Sequence, residues 1–166
     1  MGLQNAFHLA VACPHSRLVD LLVDLKVNPD QQDRLLITPI NLASTSAPVE
    51  YVDPRNDAVT TRLITLGVNT DLPDAKGRTP FLNYYGNSRF VEAERMLSLG
   101  ANVNQMDASG LYALKYALIR RNNQAIEKLV KEYKGDINKV DNKGRNLLHH
   151  AVNMSSATAD ATFETE

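Results

Sequence analysis

The sequence predicts an all-α protein that repeats a pair of short helices along the chain. An Asp followed three residues later by a Gly recurs at Asp74, Asp107 and Asp141, at intervals of 33 and 34 residues. Each of these turns precedes a short apolar run, a polar break and a second apolar run. Helices shorter than about 12 residues are marginal on their own in water. We therefore expect each helix pair to be stabilised by packing against the next pair.

The composition narrows the class of protein. The 166 residues are 43% hydrophobic and carry a net charge of −1, which excludes a disordered chain and a globally basic nucleic-acid binder. Cys13 is the single cysteine, so packing must stabilise the fold, and we expect a reducing compartment, the cytoplasm or the nucleus. No signal peptide is recognisable, and no apolar run approaches the roughly 20 residues of a membrane span. We therefore expect no membrane insertion.

The spacing of the Asp turns divides one domain into five units. The second unit is the longest, because Asp33 and Asp74 are 41 residues apart. Its extra residues fall in 44–56, where Pro48 and Pro54 predict an inserted loop. The predicted units are 1–32, 33–73, 74–106, 107–140 and an incomplete fifth, 141–166.

Each marker residue suits its predicted place in a unit. Thr79 and Pro80 are expected to begin a helix, with the threonine hydroxyl as its N-cap, as are Thr38 and Pro39. A positive φ, which glycine adopts without a steric penalty, is expected in the turns and at the ends of second helices. Leu36 stands where the other turns have glycine. The glycines concerned are Gly77, Gly110 and Gly144 in turns, and Gly67 and Gly100 at helix ends.

The end of the chain predicts an unfinished unit. Residues 153–160 are small and polar, which indicates a loop, and residues 161–166 would then begin another helix. A solenoid needs polar caps at both ends, whereas Phe7 and Leu9 have the character of interior residues. We therefore expect the chain to be part of a longer protein.

Several further residues keep a common phase from unit to unit. They are Thr38-Pro39, Thr79-Pro80, His8, His149, Gly100-Ala101 and Asn104. Together with the Asp and Gly turns, they resemble the ankyrin repeat, over residues 3 to about 153. The resemblance implies a solenoid of helix-turn-helix units joined by short hairpins, with about four full repeats and a truncated fifth. It also implies that the histidine ring bonds to the backbone of a neighbouring turn.

The departures from this pattern carry expectations of their own. Tyr112-Ala113 and Asn146-Leu147 replace the Thr-Pro pair in the last two units. Tyr84 stands where a small residue is expected, so the third layer must be bulkier or tilted. Small residues elsewhere in the first helices let the layers approach closely. These small residues are Ala10, Ala43 and Ala117.

Adjacent histidines could suggest a metal site. His149 and His150 would need a third ligand, for which Asp141 or Asp160 could be nominated. Two adjacent residues on a helix do not face each other. We therefore assign His149 to the structural histidine of the family, place His150 toward the groove or solvent, and predict no metal.

The lone thiol could suggest a nucleophile. Cys13 lies near His8 and His15 in the sequence, but no third group is available to orient a catalytic pair. A partly buried, structural Cys13 near the end of the first helix is the simpler interpretation. Phosphate-loop, dinucleotide-binding and nucleophile-elbow motifs are lacking. We predict no enzymatic activity and no cofactor.

Charge is distributed unevenly along the chain. Residues 115–145 contain nine Lys or Arg against four acids. Glu127 with Lys131, and Lys128 with Glu132, have the i,i+4 spacing that allows pairing on a helix surface. The other cations could form a basic rim that favours an acidic partner segment. The rim residues are Arg120, Arg121, Lys143 and Arg145.

The ankyrin resemblance also implies where a partner binds, since hairpin tips and the concave side of first helices are the usual contact surface. We predict a non-enzymatic scaffold or adaptor that binds a protein segment there. The alternative is a regulatory or substrate-recruiting region of an enzyme whose catalytic domain lies outside this chain. A third, weaker interpretation is anion or nucleic-acid binding by the basic end. The predicted partner-binding residues are Lys76, Arg78, Asn83, Leu111, Tyr116, Arg120, Lys143 and Arg145.

Overall fold

The computed structural model describes residues 5–13, 15–45 and 54–160. This part of the chain is all-helical and contains no strand, which confirms the predicted all-α class. Helix lengths of 7–14 residues agree with the short helices that the pattern predicts. The helices are α1 Ala6–Ala12, α2 Ser16–Asp24, α3 Pro39–Thr45, α4 Pro54–Thr65, α5 Pro80–Gly86, α6 Phe90–Ser98, α7 Ala113–Ile119, α8 Asn123–Lys131 and α9 Leu147–Asp160.

The helices pack in two rows. The first helices follow one another in the order α1, α3, α5, α7 and α9, each in contact with the next. The second helices α2, α4 and α6 form the other row, and each packs against the first helix that precedes it in the chain. Helix α8 packs against α7 but does not approach α6 as α6 approaches α4. Mutual burial between rows therefore supplies the stability that helices of this length lack alone.

Local sequence explains where the first helices begin. The Thr79 hydroxyl accepts a hydrogen bond from the amide of Leu82, and Pro80 occupies the first turn, as predicted. Asn5 caps α1 in the same way through the amide of His8. The ring nitrogen Nε2 of His8 lies 2.8 Å from the carbonyl oxygen of Ile37 in the next turn.

Each turn is built around its aspartate. The carboxylate accepts hydrogen bonds from the amides two and four residues later, at 2.8–3.0 Å. This bonding closes a tight hairpin whose fourth residue takes a positive φ, as predicted for the glycines. The four aspartates are Asp33, Asp74, Asp107 and Asp141.

Backbone hydrogen bonds connect successive turns. The amide of Ala75 donates to the carbonyl of Leu35 at 3.0 Å, and the amide of Ala108 donates to the carbonyl of Lys76 at 2.9 Å. The side-chain amide of Asn142 donates to the carbonyl of Ala108 at 3.1 Å. The hairpins therefore form a continuous row along one edge of the helices.

A second set of hydrogen bonds connects neighbouring units through the segments that follow the second helices. Asp30 accepts from the amide of Asn69 at 2.8 Å, and Asp71 accepts from the amide of Asn102 at 3.0 Å. Asn104 accepts from the amide of Asp136 at 2.7 Å. The signal in the sequence is an Asn or Asp at both ends of a three-residue motif. The motifs span residues 28–30, 69–71, 102–104 and 136–138.

The small residues predicted in the first helices and the bulky Tyr84 all lie in the core. Ala10, Ala43 and Ala117 are buried between first helices. Tyr84, predicted to make its layer bulkier, is fully buried, and its hydroxyl lies 3.2 Å from that of Thr60 in α4. The larger ring is therefore accommodated on the side of α4, where a small polar partner is available.

Two predicted loops differ from the structure. Ser44 and Thr45 lie in α3 and residues 54–56 lie in α4, because Pro54 begins a helix rather than extending a loop. The rest of the predicted insertion, 46–53, lies outside the described residues. The predicted loop at 153–160 is wrong, because α9 runs to Asp160 through residues that include neither Gly nor Pro. The helix predicted over 161–166 lies outside the described residues.

Candidate partner-binding surface

The tips of the hairpins hold two of the exposed residues among the predicted contacts. Lys76 and Lys143 are exposed, and neither side chain makes an ion pair within the described residues. Leu111 and Arg78 are half-buried at the base of their turns. The row of turns therefore presents two free ammonium groups beside partly covered apolar surface.

The two arginines of the turns are bound to their own aspartates. The Arg78 guanidinium donates to Asp74 at 3.2 Å, and the Arg145 guanidinium donates to Asp141 at 3.0 and 3.2 Å. Nε of Arg78 is buried with no hydrogen-bond partner in the described part of the chain. The net positive charge at these turns is therefore smaller than the sequence suggests.

The carboxylate of Asp141 has more side-chain partners than the sequence spacing indicated. The Lys115 ammonium lies 3.4 Å from its carboxylate, and His150 Nε2 lies 3.0 Å from it. Burial acts to raise the pKa of Asp141, but the hydrogen bonds from Arg145, Lys143 and His150 outweigh it and hold the pKa well below its usual range. The prediction that His150 faces the groove or solvent is wrong, because this carboxylate holds the ring partly buried.

Tyr116 and Arg120 form a second part of the surface, on α7 and its C-terminal end. The Arg120 guanidinium lies 5.5 Å from the centre of the Tyr116 ring and donates to the carbonyls of Tyr85 and Gly86. A Cβ on Gly86 would lie 3.3 Å from the Tyr116 ring, so this glycine lets the ring pack closely. Burial, with the Asp107 charge second, raises the pKa of Tyr116, which keeps its hydroxyl protonated.

Asn83 does not share this accessibility. Its side chain is 3% exposed and donates to the side-chain oxygen of Asn41 at 3.1 Å. The position was assigned by its phase in the repeat, but the neighbouring first helix α3 covers it. Asn83 therefore positions adjacent first helices and lies behind the surface.

The thiol and the histidine at the ends of the first-helix row also differ from expectation. Cys13 is exposed, not partly buried, because it caps the end of α1 where the chain turns away. His149 is exposed and its Nδ1 bonds locally to Asn146 at 2.6 Å, so His8 has the cross-turn bond that was assigned to His149. Within the described residues, no three His, Cys, Asp or Glu side chains form a metal-binding group.

The charged face of α8 was predicted correctly only in part. Lys131 pairs with Glu127 along the helix, as the spacing indicated. Lys128 instead pairs with Glu94 of α6 at 2.6 Å. The predicted Lys128–Glu132 pair is therefore replaced by a bridge between second helices.

Known proteins are similar to this chain over 119 of its residues. Rabankyrin-5 of Mus musculus is 34% identical over 119 residues, which is 71% of this chain and 10% of that protein. Rabankyrin-5 of Homo sapiens is 33% identical over the same shares. The chain thus spans about a tenth of the length of these curated relatives. No family model matches the chain.

The helices were also compared with the length and apolarity that a membrane span needs. None of those in the described residues is long and apolar enough to cross a lipid bilayer.

Proposed function

We propose that this chain is an ankyrin-repeat solenoid of about four repeats and a truncated fifth. Four observations support the proposal: the four aspartate turns, the His8 bond to a neighbouring turn, the two rows of helices, and the similarity to a protein named Rabankyrin-5. The first three observations are what a stacked array of such repeats requires.

We further propose that the array binds a segment of a partner protein along its hairpin row and the exposed part of α7. The observation that carries this function is the cross-linking of the turns by hydrogen bonds, two between backbones and one from the Asn142 side chain at the last turn. These bonds fix successive tips in one rigid line, so a partner meets preorganised groups and loses less entropy on binding. Fold alone does not specify a ligand, so the character of the surface decides what binds.

The charge of the surface favours an acidic partner segment. Lys76 and Lys143 are exposed, and their ammonium groups are free to meet carboxylates. The stacked Tyr116–Arg120 pair adds a flat amphipathic platform of the kind that is enriched at binding hot spots. The acidic segment would therefore lie across the tips with its apolar residues toward Tyr116 and Leu111.

A matched pair of charge reversals tests this function. Lys76→Glu combined with Lys143→Glu alters the tips, and Lys26→Glu combined with Lys134→Glu alters exposed cations away from them by the same total charge. Proteins captured by the wild-type chain from cell extract would be identified, purified and titrated against both variants at two salt concentrations. We expect the first variant to bind at least about tenfold more weakly, since facing like charges are costly at an interface.

The result that would overturn the proposal is equal weakening by both pairs, because the effect would then be one of net charge. Both variants must give the same thermal unfolding midpoint as wild type, which excludes damage to the fold. Binding of the wild-type chain to DNA or RNA with a steep salt dependence would favour the nucleic-acid interpretation instead.

A further inference from the structure

One side of α9 is apolar and contacts no other helix. Within the described residues, α9 packs against α7 alone. Leu148 is the second residue of α9 and is 70% exposed. The second residue of every other first helix is at most 1% exposed, because the next first helix covers it. These buried residues are Phe7, Ile40, Phe81 and Leu114.

The segment that follows α8 shows the same change. Ile137, the middle residue of the motif 136–138, is 49% exposed, whereas Thr70 and Val103 are buried at the same place in 69–71 and 102–104. Ile137 and Leu148 line one cavity of about 290 Å³, and Val152, also exposed, lines a second beside Leu148. We call Ile137, Leu148 and Val152 the outer face.

His149 is oriented for a bond that it does not make within the described residues. The amides of Asn5 and Asn146 donate to Nδ1 of His8 and His149, at 3.3 and 3.4 Å, so the two rings are held alike. Nε2 of His8 then lies 2.8 Å from the carbonyl oxygen of Ile37 in the next turn, to which it donates, since a carbonyl can only accept. Nε2 of His149 has no such partner in the described part of the chain.

Asn138 is a second polar group without its counterpart. The last residue of each earlier motif accepts a hydrogen bond from the first amide of the next motif, at 2.7–3.0 Å. Asn138 is the last residue of 136–138, and its side chain accepts no bond from the residues that the structure describes. The accepting residues in the earlier motifs are Asp30, Asp71 and Asn104.

We propose that the outer face is a docking site for a further helix pair led by an aspartate turn, which stacks on α9 as α9 stacks on α7. Such a unit supplies a turn carbonyl for His149, a motif amide for Asn138 and an apolar helix to cover Leu148. A single helix would cover Leu148 but leave both polar groups unpaired, because its interior amides and carbonyls are bonded within the helix. The inference rests on the proposed solenoid.

An in-frame duplication supplies this unit from the chain's own sequence. Val152 and Leu118 are both the sixth residue of their helices, so residues 1–152 followed by residues 119–166 complete the fifth unit and append a copy of the last turn and α9. We expect a higher urea midpoint than for the wild-type chain. The amides of residues 147–152 should exchange at least about tenfold more slowly, the factor expected from burying one leucine side chain.

A second duplication guards against an unfavourable junction. Tyr85 is the sixth residue of α5, so residues 1–152 followed by residues 86–166 make the same extension through a different second helix. It should protect residues 147–152 as the first duplication does. In both duplicated chains, imidazole ¹⁵N NMR should show a slowly exchanging proton on Nε2 of His149, as on Nε2 of His8, and in the wild-type chain on His8 alone.

Leu148→Lys distinguishes an open face from a covered one. In the wild-type chain it should leave the urea midpoint unchanged, because the side chain is exposed. In the duplicated chains it should lower the midpoint and restore fast exchange of residues 147–152, because a buried ammonium group is costly. Leu25→Lys is the matched control, since Leu25 at the end of α2 is exposed to a similar extent, and it should have the same effect in all three chains.

Three outcomes would overturn the assignment. Equal effects of Leu148→Lys in the wild-type and duplicated chains, or a lowered midpoint in both duplications, would show that the face does not accept a unit. Self-association of the wild-type chain that Leu148→Lys abolishes, measured by analytical ultracentrifugation, would assign the face to a second copy.

The test is independent of the hairpin proposal, because it uses no partner protein. Leu114→Ala tests the solenoid itself in the wild-type chain, since Leu114 is the buried counterpart of Leu148 on α7. It should lower the urea midpoint, and an unchanged midpoint would contradict the stacking on which the inference rests.

Discussion

The turns at Asp33 and Asp74 have the same hydrogen bonds but different residues at the fourth position. In both, the carboxylate accepts from the amides two and four residues later, at 2.8 and 2.9 Å in the first and 2.9 and 3.0 Å in the second. The fourth residue is Leu36 with φ 56° in one and Gly77 with φ 73° in the other. The aspartate and the neighbouring unit therefore set the shape of the turn, and the glycine only lowers the steric cost of its positive φ.

The surroundings of the glycines separate two reasons for having one. A Cβ on Gly77 would lie 2.9 Å from the backbone nitrogen of Ala108, in the turn stacked above it. A Cβ on Gly144 would meet no atom within 4 Å. Gly77 is thus needed both for its φ and for the close approach of two turns, whereas Gly144 is needed for its φ alone.

The largest expected effect is the difference between Gly77→Ala and Gly144→Ala. Each substitution places a Cβ at a left-handed φ, which costs about 1–2 kcal/mol. Gly77→Ala should lower the free energy of unfolding clearly more than Gly144→Ala does, because the backbone of the next turn must also move. Urea unfolding of both variants measures the difference, and equal losses would show that the close contact with Ala108 is relieved without cost.

A smaller gain is expected from Leu36→Gly. The change removes the left-handed strain of about 1–2 kcal/mol and costs roughly 0.5–1 kcal/mol in chain entropy, which leaves a modest net stabilisation. Leu35→Gly, at the exposed neighbouring position, has the entropy cost without the relief and should destabilise. If both variants lose stability to the same extent, Leu36 is not strained in this turn.

The sequence was sufficient for features that depend on neighbouring residues in the chain. The turn at Asp74, the N-cap at Thr79 and the positive φ of the glycines follow from rules that act over a few residues. The wrong helix end near residue 153 has the same origin, since a run of small polar residues is compatible with either a loop or a helix. The sequence of this run alone does not decide between them.

Features that depend on contacts between units were not predictable from one sequence. Asn83 shares its phase with Tyr116 of α7, which is partly exposed, yet α3 buries Asn83. Lys128 has an acid at the right spacing in its own helix, yet it reaches Glu94 because α6 and α8 stand apart. The separation of α6 and α8 depends on how two units pack, which no local pattern in the sequence predicts.

The last expected effect is the pH dependence of the turn at Asp141, which has cations beside its carboxylate where Asp33 has none in the described structure. Because the pKa of Asp141 is lowered by folding, its contribution to stability is full above the unfolded pKa of about 3.9 and is lost as the pH falls toward the folded value. Carboxyl ¹³C NMR should show Asp141 still ionised when an ordinary aspartate is half protonated.

The same titration ranks the groups that hold this carboxylate. Arg145→Met should raise the pKa of Asp141 more than His150→Phe does, because the arginine side chain donates twice and the histidine once. A midpoint at or above the ordinary value in the wild-type chain would show that the cations do not stabilise this turn. The Asp141 turn would then depend on its two backbone amides alone, as the Asp33 turn does, and the excess of cations around it would be free to meet a partner.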